Sequence, residues 1–120
     1  MFSLIVEDTF VDRRVLQKFL SEYGECHVAS NGEEAIEAFK LAYAEGNPYD
    51  LVCLDIKMPG LDGHQVLGMF REIEAKLGVG GLKAVKVIMT TGLEDNSNVL
   101  NSFWDGCDGY LHKPIEKSNL

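Results

Sequence analysis

Short apolar runs alternate along the chain with longer segments in which apolar residues recur every three or four positions. The first pattern is typical of buried parallel strands and the second of amphipathic helices. The strand-like runs are residues 2–6, 26–29, 49–54, 85–89 and 109–111. Because helical segments separate these runs, the pattern predicts an α/β fold, a doubly wound five-stranded parallel sheet with helices on both faces.

The helical segments are bounded by residues that start or stop helices. Asp8 or Thr9 can cap the first helix, whose apolar positions run from Phe10 to Tyr23. A loop with one Pro and two Gly at residues 58–63 precedes the third helix. The inward positions predicted for the third and fourth helices are Val66, Leu67, Phe70, Ile73, Leu77, Val99, Leu100 and Phe103.

The chain ends soon after the fifth strand. Only six residues follow Pro114, so we expect the helix that would close the pattern to be largely absent. A length of 120 residues suits a single domain. We therefore predict one domain over residues 1–120, cut before or within its fifth helix.

The composition is that of an ordinary globular domain, with 46% hydrophobic and 25% charged residues. Its net charge of -8 repels nucleic acid and anionic membranes, so we expect no direct binding to either. Three widely spaced cysteines without a CxxC pair indicate reduced thiols. No apolar run reaches the length of a signal peptide or a membrane helix. These features predict a cytoplasmic protein.

Polar side chains stand where the predicted strands end. Glu7 and Asp8 follow the first strand, Asp55 the third, Thr91 the fourth and Lys113 the fifth. The carboxyl ends of the strands form the ligand crevice of an open α/β sheet. We therefore expect three carboxylates, a hydroxyl and an ammonium group to meet at one edge of the sheet.

This set of groups suits phosphoryl transfer assisted by magnesium. Mg²⁺ prefers oxygen ligands, which Glu7 and Asp8 would supply directly or through water. Asp55 can serve as a ligand and also as a nucleophile, since an aspartate can form an aspartyl-phosphate. Thr91 offers a hydroxyl to a phosphoryl oxygen, and Lys113 offers a positive charge.

Each of these residues has a simpler interpretation when it is taken alone. An acidic pair after a strand often caps a helix, a single Asp often forms a turn, and a Lys-Pro pair often only ends a strand. The functional interpretation depends on the combination, because all of these residues lie at the same end of successive predicted strands.

The motifs around these residues resemble the receiver domain of two-component response regulators. The resemblance covers residues 2–115 and rests on four segments: Glu7-Asp8, Asp55-x-x-Met-Pro-x-x-Asp-Gly, Thr91-Gly92 and the run GYLHKP at residues 109–114. It implies the flavodoxin-like, CheY-like strand order 2-1-3-4-5. It also implies a phosphorylation-dependent switch in phosphorelay signal transduction.

The resemblance assigns the chemistry to particular residues. Asp55 would accept the phosphoryl group from a phosphohistidine on a sensor histidine kinase or a histidine phosphotransfer protein. Mg²⁺ would bind the carboxylates of Glu7, Asp8 and Asp55 and the backbone carbonyl of Lys57. On this interpretation magnesium is the cofactor, and the domain catalyses only its own phosphorylation and dephosphorylation.

The other implied roles concern the response to phosphorylation. Thr91 would contact the phosphoryl group and move toward it, while Lys113 would pair with it just before a cis bond to Pro114. Tyr110 would swing inward and change the surface of the fourth helix, fifth strand and fifth helix. An effector domain or partner protein would read that change.

Several positions leave questions open. Thr90 precedes Thr91, and the family's spacing to the final lysine favours Thr91 as the hydroxyl residue. Glu7 stands where Asp is commoner, although its carboxylate should still reach a metal. Lys57 and Leu93 occupy positions that tune dephosphorylation in the family, so the sequence does not predict the lifetime of the phosphoryl group.

Two other functions compete with the switch. A magnesium-dependent phosphohydrolase would use the same aspartyl nucleophile, but it typically needs a second acid two residues later, where this chain has Lys57. A receiver-like fold that is not phosphorylated would act only as a binding module. The intact Asp55, Thr91 and Lys113 argue against that alternative.

Overall fold

The computed structural model describes residues 1–92 and 107–113. Its strands form one five-stranded parallel sheet in the order β2-β1-β3-β4-β5. This arrangement confirms the predicted fold class and strand order. The strands are β1 Ser3–Val6, β2 Cys26–Ala29, β3 Leu51–Asp55, β4 Lys86–Thr91 and β5 Gly109–His112.

In this part of the chain, α-helices follow each of the first three strands. They are α1 Phe10–Leu20, α2 Gly32–Ala44 and α3 Gly63–Lys76, and a short 3-10 helix at Gly81–Lys83 precedes β4. None of these helices is long and apolar enough to cross a membrane. The predicted fourth helix, Leu93 and the bond before Pro114 lie outside the described residues.

Helices cover both faces of the sheet, because successive side chains of a strand point to opposite faces. α2 and α3 pack over the face that contains Leu4 and Val6, and the rings of Phe39 and Phe70 stack there at 4.2 Å. α1 packs over the opposite face through a smaller cluster of Ile5, Leu16, Leu20 and Cys53. The sheet therefore has a helix-covered core on each of its faces.

The helix caps agree with the sequence in position but not always in chemistry. α3 begins with a capping box, in which the side chain of Asp62 accepts from Gln65 N and the side chain of Gln65 accepts from Asp62 N. Thr9 is the N-cap of α1, but its side chain makes no capping hydrogen bond. Instead, Glu7 Oε1 accepts from Thr9 N at 3.1 Å. The first site residue therefore also anchors the start of α1.

Several apolar residues that recur at helical spacing are exposed, among them Leu77, which was predicted to point inward. Phe10 is 63% exposed, Val11 66% and Tyr23 58%, and Tyr23 lies beyond the end of α1. Leu77 follows α3 and is 54% exposed. Apolar spacing shows the helical period, but it does not show where a helix stops or which of its turns lie against the sheet.

Three of the five strands extend further toward their carboxyl ends than the apolar runs predict. β3 includes Asp55, β4 includes Thr90 and Thr91, and β5 reaches His112. Asp55 pairs with Thr90, and Thr91 pairs with His112. The difference arises because backbone pairing does not depend on whether a side chain is apolar.

Candidate functional site

The register of the sheet aligns the ends of neighbouring strands. Asp55 at the end of β3 pairs with Thr90 of β4, and Thr91 pairs with His112 of β5. Glu7 follows β1, which lies on the other side of β3. The polar residues at the strand ends are therefore attached to neighbouring backbone positions along one edge of the sheet.

Glu7, Asp8 and Asp55 form a cluster of carboxylates. One oxygen from each lies within 4.8 Å of the other two. Glu7 is 0% exposed and Asp55 is 3% exposed, while Asp8 lies at the surface. Within residues 1–92 and 107–113, no group donates a hydrogen bond to Glu7 Oε2, and a buried carboxylate oxygen needs a compensating partner. A set of ligands made only of oxygen atoms, two of whose carboxylates are buried, fits a hard divalent cation.

Lys113 supplies a positive charge to this cluster. Its Nζ lies 3.0 Å from Glu7 Oε2 and donates a hydrogen bond to Glu7 Oε1 at 3.3 Å, so the contact with Oε2 is an ion pair only. The same Nζ lies 3.3 Å from Asp55 Oδ2 and 3.3 Å from Asp12 Oδ2. The backbone of Lys113 donates to Thr91 O at 2.7 Å, which ties the lysine to the end of β4.

Asp12 also lies at this site, although the sequence pattern does not predict it there. It lies in the first turn of α1, where an acidic residue is ordinarily explained by the favourable field at a helix N-terminus. Its contact with Lys113 joins two residues far apart in sequence. The one available signal was that α1 starts directly after Glu7-Asp8, at the edge where the other polar groups meet.

Burial and repulsion change the ionisation of the site. Burial raises the pKa of Asp55 to about 8, Glu7 acts in the same direction, and Lys113 and the Lys57 amide oppose the shift. Burial lowers the pKa of Lys113, but Asp55, Glu7 and Asp12 outweigh this effect and leave that pKa raised. Burial and the neighbouring Glu7 therefore disfavour the ionised form of Asp55 when no cation is bound.

The chain turns directly after Asp55. The Lys57 amide donates to Asp55 Oδ1 at 3.3 Å, and the Ile56 amide donates to Thr90 O at 3.0 Å. The Gly63 amide donates to Ile56 O at 2.8 Å, and a Cβ on Gly63 would lie 2.7 Å from Ile56 Cα. Glycine at this position allows α3 to begin against the backbone of the site. The Lys57 carbonyl as a metal ligand stays a prediction.

Thr90 and Thr91 are both buried at the end of β4. Thr91 Oγ1 donates to Gly92 O at 3.2 Å, whereas Thr90 Oγ1 has no hydrogen-bond partner in the described part of the chain. Tyr110 is partly buried against the larger core cluster, with its ring centroid 5.5 Å from that of His112. The choice of Thr91 over Thr90 and the switching role of Tyr110 stay predictions.

These groups can together bind a cation and support nucleophilic attack. Asp55 presents a carboxylate oxygen beside an ammonium group and within a set of oxygen ligands. A phosphoryl group that reached this oxygen would find positive charge on both sides, from the cation and from Lys113. The arrangement therefore suits formation of an aspartyl-phosphate at Asp55.

The sequence matches one family model and parts of longer signalling proteins. The model of the response regulator receiver domain matches residues 3–120. The chain is 34% identical to hybrid signal transduction histidine kinase L of Dictyostelium discoideum over 98% of its length. It is 37% identical to transcriptional regulatory protein SrrA of Staphylococcus aureus over 93% of its length. It spans only 7% and 41% of those two proteins, which is less than half of each.

A solved structure shares the fold. It is the receiver domain of the Saccharomyces cerevisiae response regulator Ssk1, crystallised with the histidine phosphotransfer protein Ypd1. The two structures agree with a TM-score of 0.83 and 24% identity over 99% of this chain and 82% of that one. This likeness shows the fold, and the match to the family over residues 3–120 shows the relationship. The chain belongs to the response regulator receiver domain family.

Proposed function

We propose that this chain is a phosphorylation-dependent signalling switch in which Asp55 accepts a phosphoryl group. The observation that carries the proposal is the setting of Asp55. Its Oδ2 lies 3.3 Å from Lys113 Nζ, and its carboxylate belongs to the cluster with Glu7 and Asp8. Receiver domains, as a family, are signalling switches rather than enzymes that turn over a substrate.

Magnesium is the cation that this site would hold. Glu7, Asp8 and Asp55 offer carboxylate oxygens, with the backbone carbonyl of Lys57 as a further ligand. Mg²⁺ accepts such ligands while it keeps several waters. When bound, the ion neutralises charge on the carboxylates and on the phosphoryl oxygens.

The transfer step forms one bond and breaks one. A carboxylate oxygen of ionised Asp55 attacks the phosphorus of a phosphohistidine, the P–N bond breaks, and its electron pair returns to the donor imidazole. Lys113 then turns from the carboxylates to the phosphoryl oxygens, and Thr91 donates its hydroxyl hydrogen to another of them. Asp55 must be ionised before it attacks, which a bound cation favours.

The phosphohistidine would arrive on a sensor histidine kinase or a histidine phosphotransfer protein. Phe10 and Val11 in the first turn of α1 are 63% and 66% exposed, next to Asp12, which contacts Lys113. Exposed apolar side chains at the rim of a reaction site favour the docking of a protein partner. The donor would therefore cover this turn of α1 while its histidine reaches Asp55.

The proposed location of this reaction is the cytoplasm.

Phosphorylation would be read at the β5 edge of the sheet. Thr91 pairs with His112 of β5, and Met89 pairs with Tyr110. Movement of Thr91 toward the phosphoryl group would open space for the ring of Tyr110 and change the surface around β5. An effector domain or a partner protein would bind the changed surface.

Fluoroberyllate, which mimics a phosphoryl group on a carboxylate, tests this proposal without a kinase. With Mg²⁺ it should shift the amide NMR signals of Asp55, Thr91 and Lys113 in the wild-type chain. Asp55→Asn keeps the size of the side chain but removes the accepting carboxylate, so it should abolish these shifts. The matched control is Asp50→Asn, because Asp50 precedes β3 at the opposite end of the strand. Equal shifts in the Asp55→Asn and wild-type proteins would contradict the proposal.

A further inference from the structure

Lys113 has a third carboxylate partner that lies outside the metal cluster. Asp12 Oδ2 is 3.3 Å from Lys113 Nζ, the same distance as Asp55 Oδ2. The side chains are 26% exposed for Asp12 and 21% exposed for Lys113, so solvent screens this pair only in part. The carboxylates grouped closely enough to share a cation are Glu7, Asp8 and Asp55, and Asp12 is not among them.

This difference separates the partners of Lys113 into two kinds. A cation held by the cluster would attract the oxygens of Glu7 and Asp55 and repel the ammonium group, which weakens two of the three contacts. Asp12 would keep its full charge for Lys113. The contact with Asp12 would therefore be the one that persists until a phosphoryl group enters the site.

We propose that Asp12 is a positioning residue that holds Lys113 in the resting state and competes with the phosphoryl group for it. The inference rests on the proposed function, because it concerns the phosphoryl group on Asp55. An ammonium group has three hydrogens to donate, and a phosphoryl group offers strong acceptor oxygens. Lys113 must loosen its contact with Asp12 to meet them, and the charge of Asp12 also opposes a nearby anion.

An acid in the first turn of a helix also has a purely structural explanation. It stabilises the helix N-terminus through the helix dipole, whatever it contacts. That role would change the stability of α1 but not the affinity of the site for a phosphoryl mimic. A useful test must therefore measure the affinity for the phosphoryl mimic and the environment of the Lys113 ammonium group. The stability of the protein does not distinguish the two explanations.

The first measurement is the dissociation constant of fluoroberyllate in the presence of Mg²⁺, by NMR titration of the whole chain. Asp12→Asn keeps the size of the side chain and removes its charge, so it should tighten binding by about fivefold, as expected for a partly exposed ion pair. Asp12→Glu restores the charge and should return the constant toward the wild-type value. Equal constants for Asp12→Asn and wild type would overturn the proposal.

Glu33→Gln is the matched charge control. Glu33 is exposed in the first turn of α2, and its carboxylate lies 3.6 Å from where a Cβ on Gly60 would stand, beside the loop after Asp55. It is not one of the carboxylates that contact Lys113. The substitution removes the same charge near the site, so it should leave the constant within about twofold of the wild-type value. A gain equal to that of Asp12→Asn would show a general effect of net charge and overturn the inference.

The second measurement uses the side-chain ammonium signal of Lys113 in the ligand-free protein. Asp12→Asn should move this ¹⁵Nζ signal and speed its hydrogen exchange with water, whereas Glu33→Gln should not. An unchanged signal would overturn the inference even if the wild-type chain failed to bind fluoroberyllate. That failure would instead count against the proposed function, so the two ideas can fail separately.

Discussion

At the scale of single residues, the ionisation of Asp55 sets the conditions for the proposed chemistry. Burial raises its pKa from 3.8 to about 8. Because the folded-state value is the higher one, protonation of Asp55 favours the folded protein. This stabilisation is fully present below about 3.8 and is lost as the pH rises through about 8 in the metal-free protein.

Magnesium binding should depend on pH in the opposite sense, because the ion binds the ionised carboxylate. We expect the affinity for Mg²⁺ to rise by up to about tenfold per pH unit below about 8 and to level off above it. Isothermal titration calorimetry across this range measures the effect. Asp55→Asn should bind Mg²⁺ more weakly and lose most of the slope. A wild-type affinity for Mg²⁺ that does not vary with pH would contradict the assignment of Asp55 as a metal ligand with a raised pKa.

The residues of the site differ in how well the sequence could predict them. Glu7, Asp55 and Lys113 were predictable because parallel strands end at one edge, so the order of elements brings their side chains together. Asp12 was not predictable in this way. Its contact depends on the rotation of α1 about its axis and on the reach of a long lysine side chain, which apolar spacing does not specify.

At the scale of elements, the start of α3 controls the turn after Asp55. Gly63 is buried, and its amide bonds to Ile56 O at 2.8 Å. A methyl group there would overlap the carbonyl oxygen of Asp55 and lie 2.7 Å from Ile56 Cα. Helix and site backbone are therefore in direct contact, and a larger residue must push one of them away.

Gly63→Ala should therefore destabilise the protein by about 2 kcal/mol and weaken the binding of fluoroberyllate, because the carboxylate of Asp55 would move. Gly68→Ala is the matched control, since a Cβ on Gly68 meets nothing within 4 Å. That change should stabilise α3 by about 0.5–1 kcal/mol. Urea unfolding of both variants measures the two effects. If Gly63→Ala were as stable as Gly68→Ala, the close contact at Asp55 would not exist.

The elements also show why apolar patterns misjudge boundaries. The apolar runs stop at Leu54 and Met89, but β3 continues to Asp55 and β4 to Thr91. These extra residues keep their ladder pairs even though their side chains are polar. The strand ends that carry the chemistry are therefore the positions that a search for apolar runs assigns to loops.

At the scale of the whole molecule, the protein has a net charge of -8, and its site also contains several carboxylates. Such a field raises the local concentration of cations and opposes the approach of a free anion. A phosphoryl group therefore enters more easily when Mg²⁺ is bound, or when it arrives on a protein that contributes its own contacts. Under the proposed function, the exposed Phe10 and Val11 would supply such contacts beside the site.

The architecture was predictable from the sequence because strand-like runs alternate with helical segments, and a parallel sheet with helices on both faces buries both patterns. The order of the strands came from the resemblance to receiver domains, since alternation alone does not fix it. The exposed Tyr23 and Leu77 show that the burial of individual apolar residues was not predictable. Whether a helical residue is buried depends on which turns reach the sheet, and the sequence pattern does not contain that information.

The most direct test is to identify the residue that becomes phosphorylated. The chain should be incubated with acetyl phosphate and Mg²⁺, reduced with borohydride to trap an acyl phosphate, and mapped by mass spectrometry. We expect one modified residue, Asp55, with no modification when EDTA removes the metal or when Asp55→Asn replaces the wild type. Modification of another residue, or equal phosphoryl incorporation by Asp55→Asn, would contradict the assignment of Asp55 as the acceptor.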